Sequence, residues 1–186
     1  MKISGRLFYL RTLINEDLNE EYLSWLKDLE VNQFLEVRFS PPNKKQAQEN
    51  LTKYNNKTNF FFGIFDTKNN KFVGTITLKV NHLKKNGYFG YMIGDKNYWG
   101  THAGIDSIAL LMDFAFSNLS LQHIWGGTII YNIGSIFNFK KLGFTLEKRV
   151  KDKNKFKGKP TDALIFRIFE KEWFEQRKKF NYKELK

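Results

Sequence analysis

The segment Gly87-Tyr88-Phe89-Gly90-Tyr91-Met92-Ile93-Gly94-Asp95-Lys96-Asn97-Tyr98-Trp99-Gly100-Thr101-His102-Ala103-Gly104-Ile105-Asp106 decides how the chain is read. Its first eight residues suit a strand, and the period then changes, with Ile108, Leu111, Met112, Ala115 and Leu119 on one face of a helix. Between them lies a loop of small residues. A helix start leaves backbone N–H groups unpaired and carries the positive end of the helix dipole, so it can hold a phosphate group. Gly100 and Gly104 let a backbone or ligand approach closely, and Ala103 adds little bulk. Taken alone, glycines at a strand-to-helix turn are equally compatible with simple connection chemistry.

Working toward the N-terminus, Tyr88 to Ile93 follows two further β-rich segments, Asn59 to Phe65 and Phe72 to Val80. The turn between these two, Asp66-Thr67-Lys68-Asn69-Asn70, suits an antiparallel hairpin. Arg6 to Leu13 alternates as a first strand. Asn15 then offers an N-cap, and Tyr22, Trp25, Leu26 and Leu29 recur at helical spacing. Pro41-Pro42-Asn43 breaks the chain before a polar helix through Ala47, Leu51 and Tyr54. Toward the C-terminus, Leu121 to Tyr131 reads as a strand and Gly134 to Leu142 as a short helix behind an Asn132 cap. Phe144 to Val150 reads as a strand, followed by a basic loop and a last strand, Asp162 to Phe169. The order β-α-α-β-β-β-α-β-α-β-β calls for an α/β sheet with helices packed on it. No repeat or linker divides the chain, so residues 1–186 are expected to form one domain with a charged tail over about 171–186.

A hydrophobic share of 41 % excludes a disordered chain, and the longest apolar stretch, Ile108 to Phe116, is too short for a bilayer span and holds Asp113. No signal-peptide core follows Met1, and there is no cysteine, so a cytoplasmic protein without a membrane partner is expected. The lack of cysteine also rules out a thiol nucleophile. His82, His102 and His123 lack metal-ligand spacing, so no metal is expected, and there is no GxSxG elbow. The net charge is +12, concentrated at Lys148, Arg149, Lys151, Lys153, Lys155, Lys157 and Lys159, with a second cluster at Arg177, Lys178, Lys179, Lys183 and Lys186. Both clusters fit solvated charge, and both also fit an anionic partner. No nucleic-acid recognition signature accompanies them, so nucleic acid is expected as a partner only if the protein works at the ribosome.

Gly90-Tyr91-Met92-Ile93-Gly94 followed by Tyr98-Trp99-Gly100 resembles the acetyl-CoA signature of the GCN5-related N-acetyltransferase (GNAT) superfamily, in the branch that includes ribosomal-protein N-terminal acetyltransferases. A second stretch, Asn132-Ile133-Gly134-Ser135-Ile136 with Phe139 and Gly143-Phe144, resembles the family's Asn-x-x-Ala/Ser-x-x-x-Tyr-x-x-x-Gly-Phe. A third, Tyr22-Leu23-Ser24-Trp25-Leu26 with Val31 to Phe39, is similar to the acceptor side of amino-sugar acetyltransferases. The resemblance implies a mixed, mostly antiparallel central sheet of about seven strands flanked by helices. It implies acetyl-CoA as co-substrate, held by Met92, Ile93, Gly94, Trp99, Gly100, Thr101, His102, Ala103, Gly104, Ile105, Asn132 and Phe139. Two departures stand out: His102 replaces the middle glycine of the phosphate loop, and Phe139 replaces the tyrosine proposed to protonate the leaving thiolate.

An attacking amine must be neutral, so a base is needed near the acetyl carbonyl. Glu36 is the first candidate, with Arg38 placed to orient it or to bind an acidic substrate; Tyr91 and His82 follow. Because phenylalanine donates no proton, Ser135 is expected to act as the acid unless water does. The favoured acceptor is a nucleotide-linked amino sugar whose phosphates meet Lys153 and Lys155. The alternatives are acetylation of the N-terminal amine of a ribosomal or other protein, and a CoA-binding module without turnover. Apolar residues in the acceptor half fit either a sugar pocket or a homodimer contact.

Overall fold

In the computed structural model, which describes residues 1–179, eight strands form one sheet in the order β1-β2-β3-β4-β5-β6-β8-β7. They are β1 (Lys2–Ser4), β2 (Phe8–Thr12), β3 (Asn59–Asp66), β4 (Phe72–Asn81), β5 (Asn86–Ile93), β6 (His123–Ile129), β7 (Thr145–Phe156) and β8 (Lys159–Phe169). The helices are α1 (Glu20–Lys27), α2 (Leu29–Asn32), α3 (Lys44–Leu51), α4 (Ala103–Ser117), α5 (Ile133–Lys141) and α6 (Glu170–Lys179). All strand pairs are antiparallel except β5 with β6. This is the mixed, mostly antiparallel α/β sheet expected, with one more strand at the N-terminal edge. Among the described residues no helix is long and apolar enough to cross a membrane.

Period-2 alternation divides the side chains between two faces. Phe60, Phe62 and Ile64 of β3, Ile76 and Leu78 of β4, and Phe89 of β5 turn toward α4, whose Ile108, Leu111, Met112 and Ala115 are fully buried against them. On the opposite face Phe65, Phe72 and Met92 meet Tyr22, Trp25 and Leu26 of α1 and Ala47 of α3. Asn19 caps α1 and Asn43 caps α3, each accepting a backbone N–H at 2.9 Å.

Three expectations need correction. The basic stretch is not a loop: Lys148 to Phe156 continues β7 and turns back into β8 as a hairpin. Lys157 (φ 48°) and Gly158 (φ 78°) form its two-residue turn, both left-handed as such tight hairpins require. Its lysines and two register shifts disguise it, yet exposed charge and irregularity suit an edge strand. The strand drawn over Leu121 to Tyr131 is shorter, His123–Ile129. Residues 170–179 are a helix rather than a tail, because Trp173 is fully buried and its indole donates to Asp113 of α4 at 2.9 Å. Lys183 and Lys186 lie outside the described residues.

Candidate active site

The parallel pairing of β5 with β6 ends early. Asn86 to Phe89 pair with His123 to Gly126, and beyond Phe89 the two strands part. Phe139 of α5 sits where they separate. Its ring lies 5.6 Å from that of Phe89 and 5.0 Å from that of Phe166, and a Cβ on Gly126 would meet it at 2.9 Å. It is 2 % exposed, so it acts as a wedge inside the core and not as part of the cleft wall. Gly90 and Met92 turn their peptide groups toward β4, as the Gly94 N–H to Val73 carbonyl bond fixes the register. The N–H groups of Tyr91 and Ile93 therefore face the open edge. The Ile93 carbonyl there accepts the Trp99 indole N–H at 2.9 Å.

A cleft of about 720 Å³ opens at this edge. Its walls bring together Tyr91, Met92, Ile93, Trp99, Gly100, Thr101, His102, Gly104 and Ile105 from β5 to α4, and Asn132 and Ser135 from α5. The fit to a phosphate-bearing ligand rests on backbone. The Ala103 N–H donates to Thr101 Oγ1 at 3.2 Å and the Asp106 N–H to the His102 carbonyl at 2.8 Å. That leaves Gly104 and Ile105, in the first turn of a fifteen-residue helix at the cleft wall, with N–H groups that meet no acceptor among the described residues. Gly100 (φ 71°) has open space where a Cβ would stand.

Other expected residues stand apart. Gly94 lies under Trp25, where a Cβ would collide at 2.1 Å, and Ala103 is fully buried, so neither lines the cleft. Arg38 donates to the carbonyls of Leu35 and Lys155 and stacks on Phe39 at 4.2 Å. It fastens the β7–β8 hairpin to the segment after α2, beside the stack of Phe34 on Phe156 at 5.5 Å. Lys153 and Lys155 are exposed on the hairpin, and strand alternation turns Lys155 away from the face that Phe156 presents to Phe34. Glu36 is exposed, and its charge reaches the Tyr88 phenol, which burial first and Glu36 second push up. His82 bonds the Lys57 carbonyl at 3.0 Å, away from the cleft.

Two hydroxyls meet inside the cleft. Tyr91 Oη and Ser135 Oγ are 3.1 Å apart, and Asn138 Nδ2 donates to Tyr91 Oη at 2.9 Å. Burial pushes the Tyr91 phenol up, against the smaller opposing effect of those two hydrogen bonds, so it stays protonated at neutral pH. Asn132 Oδ1 accepts the Ser135 N–H at 3.1 Å and so both caps α5 and fixes Ser135. Asn138 was not singled out from the sequence, though it lies three residues beyond Ser135 on the same helical face. Phe34, Ile133 and Phe137 add apolar wall; they lie within the stretches quoted from the sequence, Ile133 and Phe137 at positions that the motif leaves open.

A family profile described as "Acetyltransferase (GNAT) domain" matches residues 8–145. The chain belongs to the GNAT acetyltransferases. As a GNAT protein it is an acyltransferase, and the GNAT fold uses acetyl-CoA. It is 24 % identical over 177 residues to YjcK of Bacillus subtilis (strain 168), described as a probable N-acetyltransferase, covering 89 % of this chain and 96 % of that one. In fold it is similar to the spermidine N-acetyltransferase from Vibrio cholerae in complex with CoA and spermine. That structure has a TM-score of 0.81 and 17 % identity, over 91 % of this chain and 99 % of the other. A GCN5-related N-acetyltransferase from Brucella melitensis gives a TM-score of 0.78 at 19 % identity, over 96 % and 82 %.

Proposed function

We propose that this GNAT enzyme acetylates a primary amine on a small anionic molecule, with a nucleotide-linked amino sugar as the first acceptor to test. The observation that carries the chemistry is the Asn138–Tyr91–Ser135 array in the cleft at the parting of β5 and β6. Acetyl-CoA supplies the activated acyl group. The outward N–H groups of Tyr91 and Ile93 polarise its carbonyl oxygen, and Gly104 and Ile105 hold its phosphate end. Glu36, exposed and outside the cleft lining, takes the proton of the attacking amine through water. With Asn138 donating to Tyr91 Oη, the Tyr91 hydroxyl is free to donate to Ser135 Oγ, and the Ser135 hydroxyl turns its proton toward the departing sulfur.

The anionic acceptor follows from charge. Lys151, Lys153, Lys155, Lys157 and Lys159 crowd the hairpin beside the acceptor segment, so their field attracts anions and repels polycations. Lys153 and Lys155 act in this reading through the field of the hairpin, and Arg38 by holding the hairpin in place. The same field supports a second reading, acetylation of a protein N-terminus on a ribosomal particle. Thiol release from acetyl-CoA should be measured with nucleotide-linked amino sugars, N-terminal peptides and spermidine. Turnover of the sugar is expected; turnover of the peptide alone would replace it with the second reading, and preference for spermidine would overturn both.

A further inference from the structure

A second pocket, of about 500 Å³, lies on the opposite side of the sheet from α4, roofed by α1 and α3. Asn59 and Phe61 of β3 and Lys79 of β4 form its floor, and Tyr22, Asn50, Lys53 and Tyr54 its walls. The side-chain chemistry is one-sided. Two lysines line it and no carboxylate does, and among the described residues neither lysine makes a salt bridge. Lys53 Nζ donates to Asn50 Oδ1 at 2.7 Å, which leaves the Asn50 amide N–H groups to face a ligand. Among the described residues the Tyr22 and Tyr54 hydroxyls have no hydrogen-bond partner, and neither is among the sealed, unsatisfied polar atoms. Burial, with Tyr54 second, pushes the Tyr22 phenol up to about 12, so it remains a donor at any physiological pH. Tyr54 packs at a tilt against Phe61, ring centroids 4.7 Å apart, giving an aromatic wall.

The segment after α2 borders both cavities. Leu35 lines the cleft and Val37 lines the pocket, so Glu36 stands on the threshold between them. The sheet register agrees. Asn59 is paired with Lys79, Lys79 with Tyr88, and Tyr88 with Trp125, one row crossing the sheet from the pocket to the parting strands. Two residues along, and so on the same face, Phe61, Thr77 and Gly90 form the next row, which ends at the open edge. Two strand spacings, about 10 Å, therefore separate Phe61 on the pocket floor from Gly90 at that edge.

We infer that this pocket anchors the acceptor by an anionic, hydroxyl-bearing group carried about 10 Å from its amine, which Glu36 meets on the way to the cleft. The donors suit phosphate oxygens and sugar hydroxyls, the Tyr54–Phe61 wall suits a ring, and the lysines disfavour a polyamine. The inference rests on the anionic-acceptor reading above and names where that anion binds.

The test keeps the cofactor cleft filled, so that a phosphate probe cannot report it. With CoA saturating, the protein is titrated calorimetrically with pyrophosphate, a nucleoside diphosphate and spermine. Saturable binding of the diphosphate is expected, weakened about tenfold by Lys79→Met or Lys53→Met, as loss of one charge-assisted bond implies, and unchanged in Ser135→Ala. No binding beside CoA, binding indifferent to both lysine variants, or tighter binding of spermine would overturn it. In turnover, Lys79→Met and Tyr54→Phe should raise the acceptor KM while leaving kcat and the acetyl-CoA KM in place. If the sugar nucleotide is acetylated with its KM unmoved by Lys79→Met, this site is wrong and the proposed function stands. If the diphosphate binds and Lys79→Met abolishes it, but no anionic amine is acetylated, the site stands and the acceptor reading falls.

Discussion

Tyr91 Oη lies 3.1 Å from Ser135 Oγ, joining a strand of the sheet to the first turn of α5 inside the cleft. If this pair supplies the proton for the leaving thiolate, Ser135→Ala should lower kcat by about a hundredfold or more, within the usual range for a general acid. Tyr91→Phe should lower it less, since Ser135 can still reach water. The acetyl-CoA Kd, read by calorimetry, should change little in either. An unchanged kcat in Ser135→Ala would return the role to solvent.

Phe139 is a wedge, so restoring a tyrosine there should not restore an acid. Phe139→Tyr places a hydroxyl among the rings of Phe89, Phe144 and Phe166, and is expected to cost stability without raising kcat. Phe139→Ala should lose about 3–5 kcal/mol in urea unfolding. A rise in kcat for Phe139→Tyr would show that the ring reaches the cleft.

Asp106, 2 % exposed and with Oδ1 unpartnered, has its carboxyl pushed up to about 6, chiefly by burial, with His102, Arg177 and Arg6 opposing. The folded state thus holds this proton more tightly than the unfolded chain. Stability from this group is therefore full below pH about 4, is lost as pH rises to about 6, and stays lost above it. Asp106→Asn should raise the unfolding free energy at pH 8 by at most roughly 3 kcal/mol and by nearly nothing at pH 4. Equal effects at the two pH values would refute this account.

Gly104→Ala would set a Cβ 2.6 Å from Asn138 Nδ2 and 3.3 Å from the Tyr91 ring. The expected result is a raised acetyl-CoA KM together with a reduced kcat, because the phosphate loop and the hydroxyl array share this contact. A rise in KM alone would mean that Asn138 moves aside without cost to Tyr91.

The α/β order was legible because strands with one buried face alternate, as at Phe60, Phe62 and Ile64, and because α4 keeps its period over four turns. The cleft wall from Met92 to Ile105 was legible because glycine and helix-start chemistry is local in sequence. Of the hairpin of residues 145–169, the two strands at its base were read, but the outer part, residues 151–161, was not, since an exposed edge strand of alternating lysines buries too little to leave a pattern. Nor could motif spacing distinguish a ring that lines a cleft from one that splits two strands, which is how Phe139 came to be expected against the cofactor. Asn138 and the pocket beneath α3 depend on residues far apart in the chain, brought together by helix packing on the sheet and by the sheet register.

Arg38 grips the hairpin tip by the Lys155 carbonyl, a group every residue possesses. The anchorage is thus indifferent to which side chains the tip displays. Lys153, Lys155 and Lys157 can be exchanged one by one under selection, redrawing the charge that a visiting amine encounters while the strap itself stays moored. On the reading proposed above, acceptor preference is therefore free to drift faster than the architecture that presents it.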